Sequence, residues 1–466
     1  MKNDKLLTDE LSNPVNDSKK AENLFFDELN AWAGLSSQLQ QILFTLLGEE
    51  AEFSGFFKYL DYAERAEDLA ALIAETLSGR ICAHVCLSSL IEQSPVALAY
   101  AVMLIAQSAY DSVPPAWVQK IHPELDDVLE ALCNTPCEAG CGYCQRALNL
   151  LNGLNEHFGY SAFRSYDGEP LQERAAQAAL NGHSLLAVFP TGGGKSITFQ
   201  LPALMQGRTV RGLTVVISPL LSLMKDQVDN LKQKGIEDAV SINSLLNPLE
   251  RTQAIERVRS GGVSLLYISP ELLRSRVIEE LLLARKVVRF VIDEAHCFSA
   301  WGQDFRVDYL YIGPFMKRLQ ARKGLEHPIA VSCFTATAKQ KVVSDIRDYF
   351  RKALGLELML FTTEASRKNL RYEVMFRASD EEKYATLRAL LLDRQVPSIV
   401  YCARTKQAEA VAERLSKDGI EAFAFHGKMS VPEKVANQER FIRGAVNVMV
   451  ATSAFGMGVD KADRLW

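Results

Sequence analysis

The sequence predicts an α/β fold: two parallel-sheet units in series behind an all-helical N-terminal domain. Three observations carry this. From about Glu22 to Leu132 the apolar residues recur at helical spacing, as in Leu69, Leu72, Ile73 and Leu77. After about Leu171 short apolar runs alternate with helical stretches, the pattern of strands joined by helical crossovers in a parallel sheet. A second series of the same kind begins near Pro397.

Taken in order, residues 1–20 are polar and are expected to be disordered. They lack the apolar core of a secretory signal, so the expected location is cytoplasmic. Residues 21–150 form the helical domain. Its longest apolar run, Val96 to Ala106, is too short to span a bilayer and predicts a buried helix, so no membrane partner is expected. Pro114-Pro115 interrupts the array, and a cysteine-rich segment follows it. Residues 151–360 form the first α/β unit, with strands expected at 184–189, 213–218, 264–269, 287–293 and 329–336. An extended, basic bridge around Phe361 to Met375 leads into the second unit, residues 361–466, with strands at 398–403, 421–426 and 446–452.

At 466 residues, 48% apolar and 23% charged, the chain has ordinary globular composition and the length for two or three cores. Its net charge of −5 is unevenly spread. Residues 1–150 hold 9 basic and 22 acidic side chains, and residues 151–466 hold 43 and 35. The α/β part is basic enough to lie beside phosphates, whereas the acidic front part suits a protein partner.

Two motifs carry chemistry. Phe189 to Ser196 reads Phe-Pro-Thr-Gly-Gly-Gly-Lys-Ser between a strand and a helix. Thr191, Gly192, Gly193 and Gly194 would close backbone N–H groups around a polyphosphate at the positive end of the helix. Lys195 would reach the β- and γ-phosphates, and Ser196 would ligate Mg²⁺. Phe189 stands where the strict pattern has its first glycine, so the loop is a variant. About a hundred residues on, Asp293-Glu294-Ala295-His296 ends an apolar strand. Asp293 can share the ion with Ser196, and Glu294 can orient or deprotonate the attacking water. Together they predict ATP and Mg²⁺ as ligands, with Lys195, Asp293, Glu294 and His296 as the catalytic set.

The block Asp293 to Tyr309, DEAHCFSAWGQDFRVDY, resembles the RecQ family of DNA helicases within superfamily 2. The resemblance runs from about His157 to the end. It implies two RecA-like lobes, ATP-dependent 3′→5′ translocation, and DNA as partner, both single strands and duplex junctions. It also implies that Trp301, Phe305 and Arg306 contact single-stranded DNA, for which flat rings and a guanidinium are suited. In the family an opening motif like HFGYSAFR (157–164) is followed closely by a Gln that reads adenine. Here Gln172 comes after an apparent insertion, SYDGEPL, and a helix-surface Gln is the competing reading. Ser218 and Ser222 fall in motif Ia, Tyr267 to Glu271 in motif Ib, and Thr335 to Ala338 in motif III, which links the DEAH box to the strand-binding face. In the second lobe Arg404 belongs to motif IV, and Phe425 to Lys428 depart from the family's His-Ala-Gly. Ala451 to Lys461 match motif V, in which Thr452 would touch a DNA phosphate while Gly456, Gly458 and Asp460 face the nucleotide. The family's motif VI, with arginines that reach the γ-phosphate, would come after Trp466. The chain is therefore expected to be a fragment or a truncated frame, binding ATP but poor at unwinding. The competing function is an ATP-gated nucleic-acid-binding or remodelling subunit of a DNA-modification or defence system that does not unwind.

Cys133, Cys137, Cys141 and Cys144 crowd into twelve residues with Pro136, Gly140 and Gly142 to allow tight turns. Four thiolates suit tetrahedral Zn²⁺ or a [4Fe–4S] cluster, and spacing leaves both open. Cys82, His84 and Cys86 are too close-set for a usual site and read as core.

Overall fold

The computed structural model describes residues 66–106, 113–114, 116–190, 192–244, 246–299, 306–336, 339–363, 371–453 and 455. The chain divides into two units, Met1–Ile217 with Leu231–Ala365 and Ser218–Asn230 with Ser366–Trp466.

Among the described residues, the first unit begins with seven helices: α1 (Ala66–Thr76), α2 (Leu87–Gln93), α3 (Pro95–Ala106), α4 (Ala116–Ile121), α5 (Leu125–Cys133), α6 (Gly142–Ala147) and α7 (Leu150–Phe158). The expected buried helix is α3, whose residues Val96 to Leu104 are all buried, as an all-round apolar helix must be. No helix among the described residues is long and apolar enough to cross a membrane. On α5 the buried residues are Leu125, Val128, Leu129, Leu132 and Cys133, one stripe at helical spacing. The Asn149 side chain caps α7, and Gly159, in the left-handed region at φ +70, ends it.

A seven-stranded parallel sheet follows, built from β1 (Leu185–Val188), β2 (Leu213–Ile217), β3 (Ala239–Ile242), β4 (Leu265–Ile268), β5 (Val287–Ile292), β6 (Ala330–Thr335) and β7 (Met359–Thr362). The strand order is β3-β4-β2-β5-β6-β1-β7. β1, β2 and β4 are buried along their whole length, as strands covered by helices on both faces are. The five expected strands are present, and β3 and β7 extend the sheet at its two edges. The helices that matter for the site are α8 (Leu171–Leu180) before β1 and α9 (Lys195–Val210) after it. A buried arginine on β5, Arg289, donates to the carbonyl of His183 at 2.9 Å and to Ser332 Oγ at 3.0 Å, which answers the cost of its burial.

The helical region is fastened to this sheet domain. Its core cluster includes Val210 at the end of α9, with Val288 packed against it. Arg211 donates to the carbonyl of Leu104 at 2.6 Å, and Lys286 lies 3.1 Å from Glu130.

The second unit holds a three-stranded parallel sheet, β8 (Ser398–Tyr401), β9 (Ala422–Phe425) and β10 (Val448–Ala451), in the order β8-β10-β9. One face packs Tyr384, Ala408, Leu415 and Val450, and the other Phe425, Phe441, Met449 and Phe455. The helix Val431–Ile442 starts with a reciprocal capping box between Ser430 and Glu433.

Candidate functional site

The parallel order puts the C-terminal ends of β1, β6 and β5 side by side, the edge where α/β sheets bind ligands. Register aligns Ile292 with Cys333, and Leu186 with Cys333 on the other side. The loops leaving β1 and β5 are therefore two strand spacings apart, about 10 Å. They are the glycine-rich loop and the Asp293–His296 segment.

Gly192 and Gly194 adopt φ +73 and +80, and α9 starts at Lys195. A side chain at Gly193 would come within 2.8 Å of the Pro190 carbonyl, and one at Gly194 within 2.6 Å of Gln172 Nε2. Both positions require glycine, which leaves the loop and the free N–H groups of the first helical turn open to an anion. Lys195 and Ser196 are half-buried at that turn. Thr191 lies outside the described residues.

Three residues hold the loop from the side of the opening motif. Gln172, 2% exposed, accepts the Arg164 backbone N–H at 2.7 Å and donates to the Gly194 carbonyl at 2.8 Å. The carboxamide expected to read an adenine edge is thus engaged at both ends by backbone, as a brace for the loop. The Arg164 guanidinium donates to the Gly192 carbonyl at 2.7 Å. Tyr166 donates its hydroxyl to the Gly193 carbonyl and stacks on Phe189, centroids 4.9 Å apart. The apparent insertion explains Tyr166: Asp167 and Gly168, at φ +49 and +86, make a tight turn closed by paired hydrogen bonds between Tyr166 and Glu169. Sequence reasoning missed Arg164 and Tyr166, although the Asp-Gly pair is a turn signal.

Across from the loop, the Asp293 N–H donates to the Ile217 carbonyl at 2.9 Å, and Asp293 Oδ1 accepts the Glu294 N–H at 2.9 Å. Burial, then the adjacent Glu294 charge, pushes the Asp293 carboxyl up to about 6, while Lys195 pulls it down. Burial also acts to raise Glu294, but the His296 hydrogen bond and the Lys195 charge prevail and hold it below its ordinary value. The Lys195 charge thus reaches both carboxylates, from the loop that leaves β1 at the same sheet edge. Glu294 sits at φ +48, a left-handed conformation unusual outside glycine and held here in a site loop. His296 Nδ1 lies 3.2 Å from Glu294 Oε2 and 3.4 Å from Thr335 Oγ1, so one imidazole joins the carboxylate to the end of β6, where motif III begins. Tyr309, also unforeseen, donates to the Asp293 carbonyl at 2.9 Å.

Of the other expected site residues, Ser218 follows β2 and is buried, and the side chain of Ser222 lies outside the described set. Arg306 is half-buried and its N–H donates to the Cys297 carbonyl at 3.1 Å. Arg404 is exposed ahead of the helix Thr405–Lys417, and the Thr452 N–H donates to the Phe425 carbonyl at 3.1 Å. Trp301, Phe305, Gly456, Gly458 and Asp460 lie outside the described residues.

The cysteine cluster forms, with one member exchanged. Ligand atoms of Cys82, Cys137, Cys141 and Cys144 all lie within 4.8 Å of one another. Cys133, expected in the set, is instead the buried last residue of α5, its thiol 3.8 Å from the Arg80 carbonyl. Cys82, read as core from its spacing, takes the fourth place. Its position there depends on a chain reversal more than fifty residues away, to which local spacing gives no clue.

Two domain descriptions match the chain: DEAD/DEAH box helicase over residues 169–346 and helicase conserved C-terminal domain over 382–464. The chain is 38% identical over 318 residues to the ATP-dependent DNA helicase RecQ of Haemophilus influenzae, covering 67% of this chain and 47% of that protein. It is 37% identical over 310 residues to the RecQ of Bacillus subtilis, covering 66% and 49%. It thus spans about half the length of these curated relatives. Among solved structures, the Mycobacterium smegmatis helicase Lhr bound to ssDNA and AMP-PNP shares the fold, with TM-score 0.51 at 20% identity, over 67% of this chain and 42% of that one. The braced glycine loop, the DEAH segment beside it and these likenesses agree: the chain belongs to the RecQ family of superfamily 2 helicases.

Proposed function

We propose that this chain is the motor core of an ATP-dependent DNA helicase, moving 3′→5′ on single strands at duplex junctions. The observation that carries the reading is the strand order β5-β6-β1, which brings the glycine loop and Asp293–His296 to one sheet edge, with His296 linking Glu294 to Thr335. Backbone N–H groups of Gly192 to Ser196 hold the phosphates of ATP, and Lys195 neutralises their charge. Ser196 and Asp293 would hold Mg²⁺, which would supply positive charge against that of the phosphates. Glu294, kept ionised by His296, orients the attacking water and accepts its proton. His296 passes the state of that carboxylate to the end of β6.

Trp301, Phe305 and Arg306 take unpaired bases and phosphate, with Ser218, Ser222, Arg404 and Thr452 along the backbone of the strand. Gly456, Gly458 and Asp460 are assigned to the nucleotide by their motif. The names of the curated relatives, both ATP-dependent DNA helicases, support DNA as the track. Beside the motor, the four converging thiols suit a thiophilic metal or an iron–sulfur cluster.

The test is ATP hydrolysis with and without a single-stranded oligonucleotide, alongside separation of a tailed duplex. Glu294→Gln is expected to bind ATP normally and to lose about 10²–10⁴-fold in kcat. His296→Ala is expected to keep ATP binding and lose most of the DNA stimulation. Stimulation without strand separation points to the non-unwinding remodelling subunit, and hydrolysis indifferent to DNA overturns the proposal.

A further inference from the structure

The cluster at Cys82, Cys137, Cys141 and Cys144 says more than that a metal could sit there. Its members come from two places in the chain. Cys82 lies in the segment between α1 and α2, and the other three lie between α5 and the first turn of α6. All four sulfurs lie within 4.8 Å of one another.

Size discriminates between the candidates. Zinc–sulfur bonds of about 2.3 Å in a tetrahedron place the sulfurs about 3.8 Å apart. A [4Fe–4S] cube puts its irons and sulfides between the thiolates and holds them farther apart than one ion does. The observed spacing, no more than 4.8 Å, is nearer that of a single ion.

The surroundings are those of a metal knuckle. Gly140 takes φ +60, turning the chain so that the Cys141 N–H donates to Cys137 Sγ at 3.3 Å. Donors aimed at sulfur offset the negative charge that four thiolates keep after binding a divalent ion. The Cys82 segment is also tied down: its N–H donates to the Leu132 carbonyl at 2.9 Å, and Arg146 donates to the Gly79 carbonyl. Cys133 stays outside the shell, and Tyr143 donates to its carbonyl at 2.7 Å.

The geometry points to a structural Zn²⁺ held by Cys82, Cys137, Cys141 and Cys144, which closes the helical domain on itself. This rests on the metal reading of the cluster given above. The ion links residue 82 to residue 137 around the apolar helix α3. The core it completes reaches Val210, at the far end of the helix that begins with Lys195. Zinc therefore supports the nucleotide helix from behind and takes no part in the chemistry.

Metal analysis of the full chain, purified without oxygen from medium containing both zinc and iron, tests this. The expected result is one zinc per chain, negligible iron, and a colourless protein. Cys82→Ser should lower zinc content at least tenfold, whereas Cys133→Ser and Cys86→Ser should retain it. Should Cys82→Ser not fold, Co²⁺-substituted wild-type protein decides, and the ligand-field spectrum of tetrahedral four-thiolate cobalt is expected. Iron with acid-labile sulfide overturns the zinc assignment while leaving a cofactor at the cluster. Metal-free protein with all four thiols open to alkylation overturns the metal reading itself. Zinc kept in Cys82→Ser and lost in Cys133→Ser overturns the ligand set. The helicase reading is untouched by any of these, because ATP hydrolysis is measured separately.

Discussion

His157, buried on α7, is held neutral by burial and by the Arg208 charge, which push its imidazole down to about 4. An unfolded chain takes up that proton near pH 6.5, and the folded chain refuses it until about 4. The folded state binds fewer protons over this window, so stability is full above pH 6.5 and falls as pH drops toward 4. The loss should reach roughly 3 kcal/mol. Urea midpoints at pH 7 and pH 5 check it: the wild type should lose more than His157→Gln, and equal losses would remove His157 from the account. Single residues were also the hardest part of the site to read from sequence. Lys195, Asp293 and Glu294 announce themselves because phosphate and magnesium chemistry needs those groups in short, fixed patterns. Tyr166, Arg164 and Tyr309 do not, because they act through backbone carbonyls, which any donor at the right place can reach. Cys82 was hidden for a related reason, since its partners are near in space and far along the chain.

Among elements, α9 is the one on which most depends. It starts at the glycine loop, and its last turns touch the helical domain and β4. Gly207 marks the closest approach: a Cβ there would lie 1.9 Å from Ser264 Oγ and 2.5 Å from Ser264 Cβ. In an open helix Gly→Ala gains about 1 kcal/mol of propensity, but overpacking at such a contact costs about 1–3 kcal/mol. Gly207→Ala should therefore lower Tm, and adding Ser264→Gly should recover most of the loss. A Gly207→Ala chain as stable as wild type contradicts the packing described. Strand legibility followed apolar composition. β1, β2, β4 and β5 are rich in Leu, Val and Ile, and β6 carries Val, Cys and Phe, so these stood out. β3 is the short mixed run Ala-Val-Ser-Ile at one edge, and β7 at the other exposes Met359 and Leu360, so neither reads as a long apolar run. The buried helix α3 was plain, because an unbroken apolar run too short to span a bilayer is best placed in a core.

For the molecule as a whole, the two α/β series in the sequence correspond to the seven-stranded and three-stranded parallel sheets, each in its own unit. The helical region ahead of residue 150 has a core cluster of its own, which also takes in Val210 from α9. Shared core at Val210 and the pairing of Lys286 with Glu130 fasten that region to the first sheet. Periodicity reveals which faces are apolar and cannot reveal which neighbour covers them, so that junction was illegible. The meeting of Lys195 with Asp293 and Glu294 was legible, because it follows from strand order once the two motifs end strands of one parallel sheet. The most direct test of this meeting is a double-mutant cycle on metal affinity. Mn²⁺ binding in the presence of a non-hydrolysable ATP analogue is followed by electron paramagnetic resonance for wild type, Ser196→Ala, Asp293→Asn and the double variant. If one ion is shared, each single variant weakens it, and the double is little worse than the weaker single. Losses that simply add, or an Asp293→Asn chain that binds Mn²⁺ as wild type does, would show that the glycine loop and the DEAH box serve separate ends.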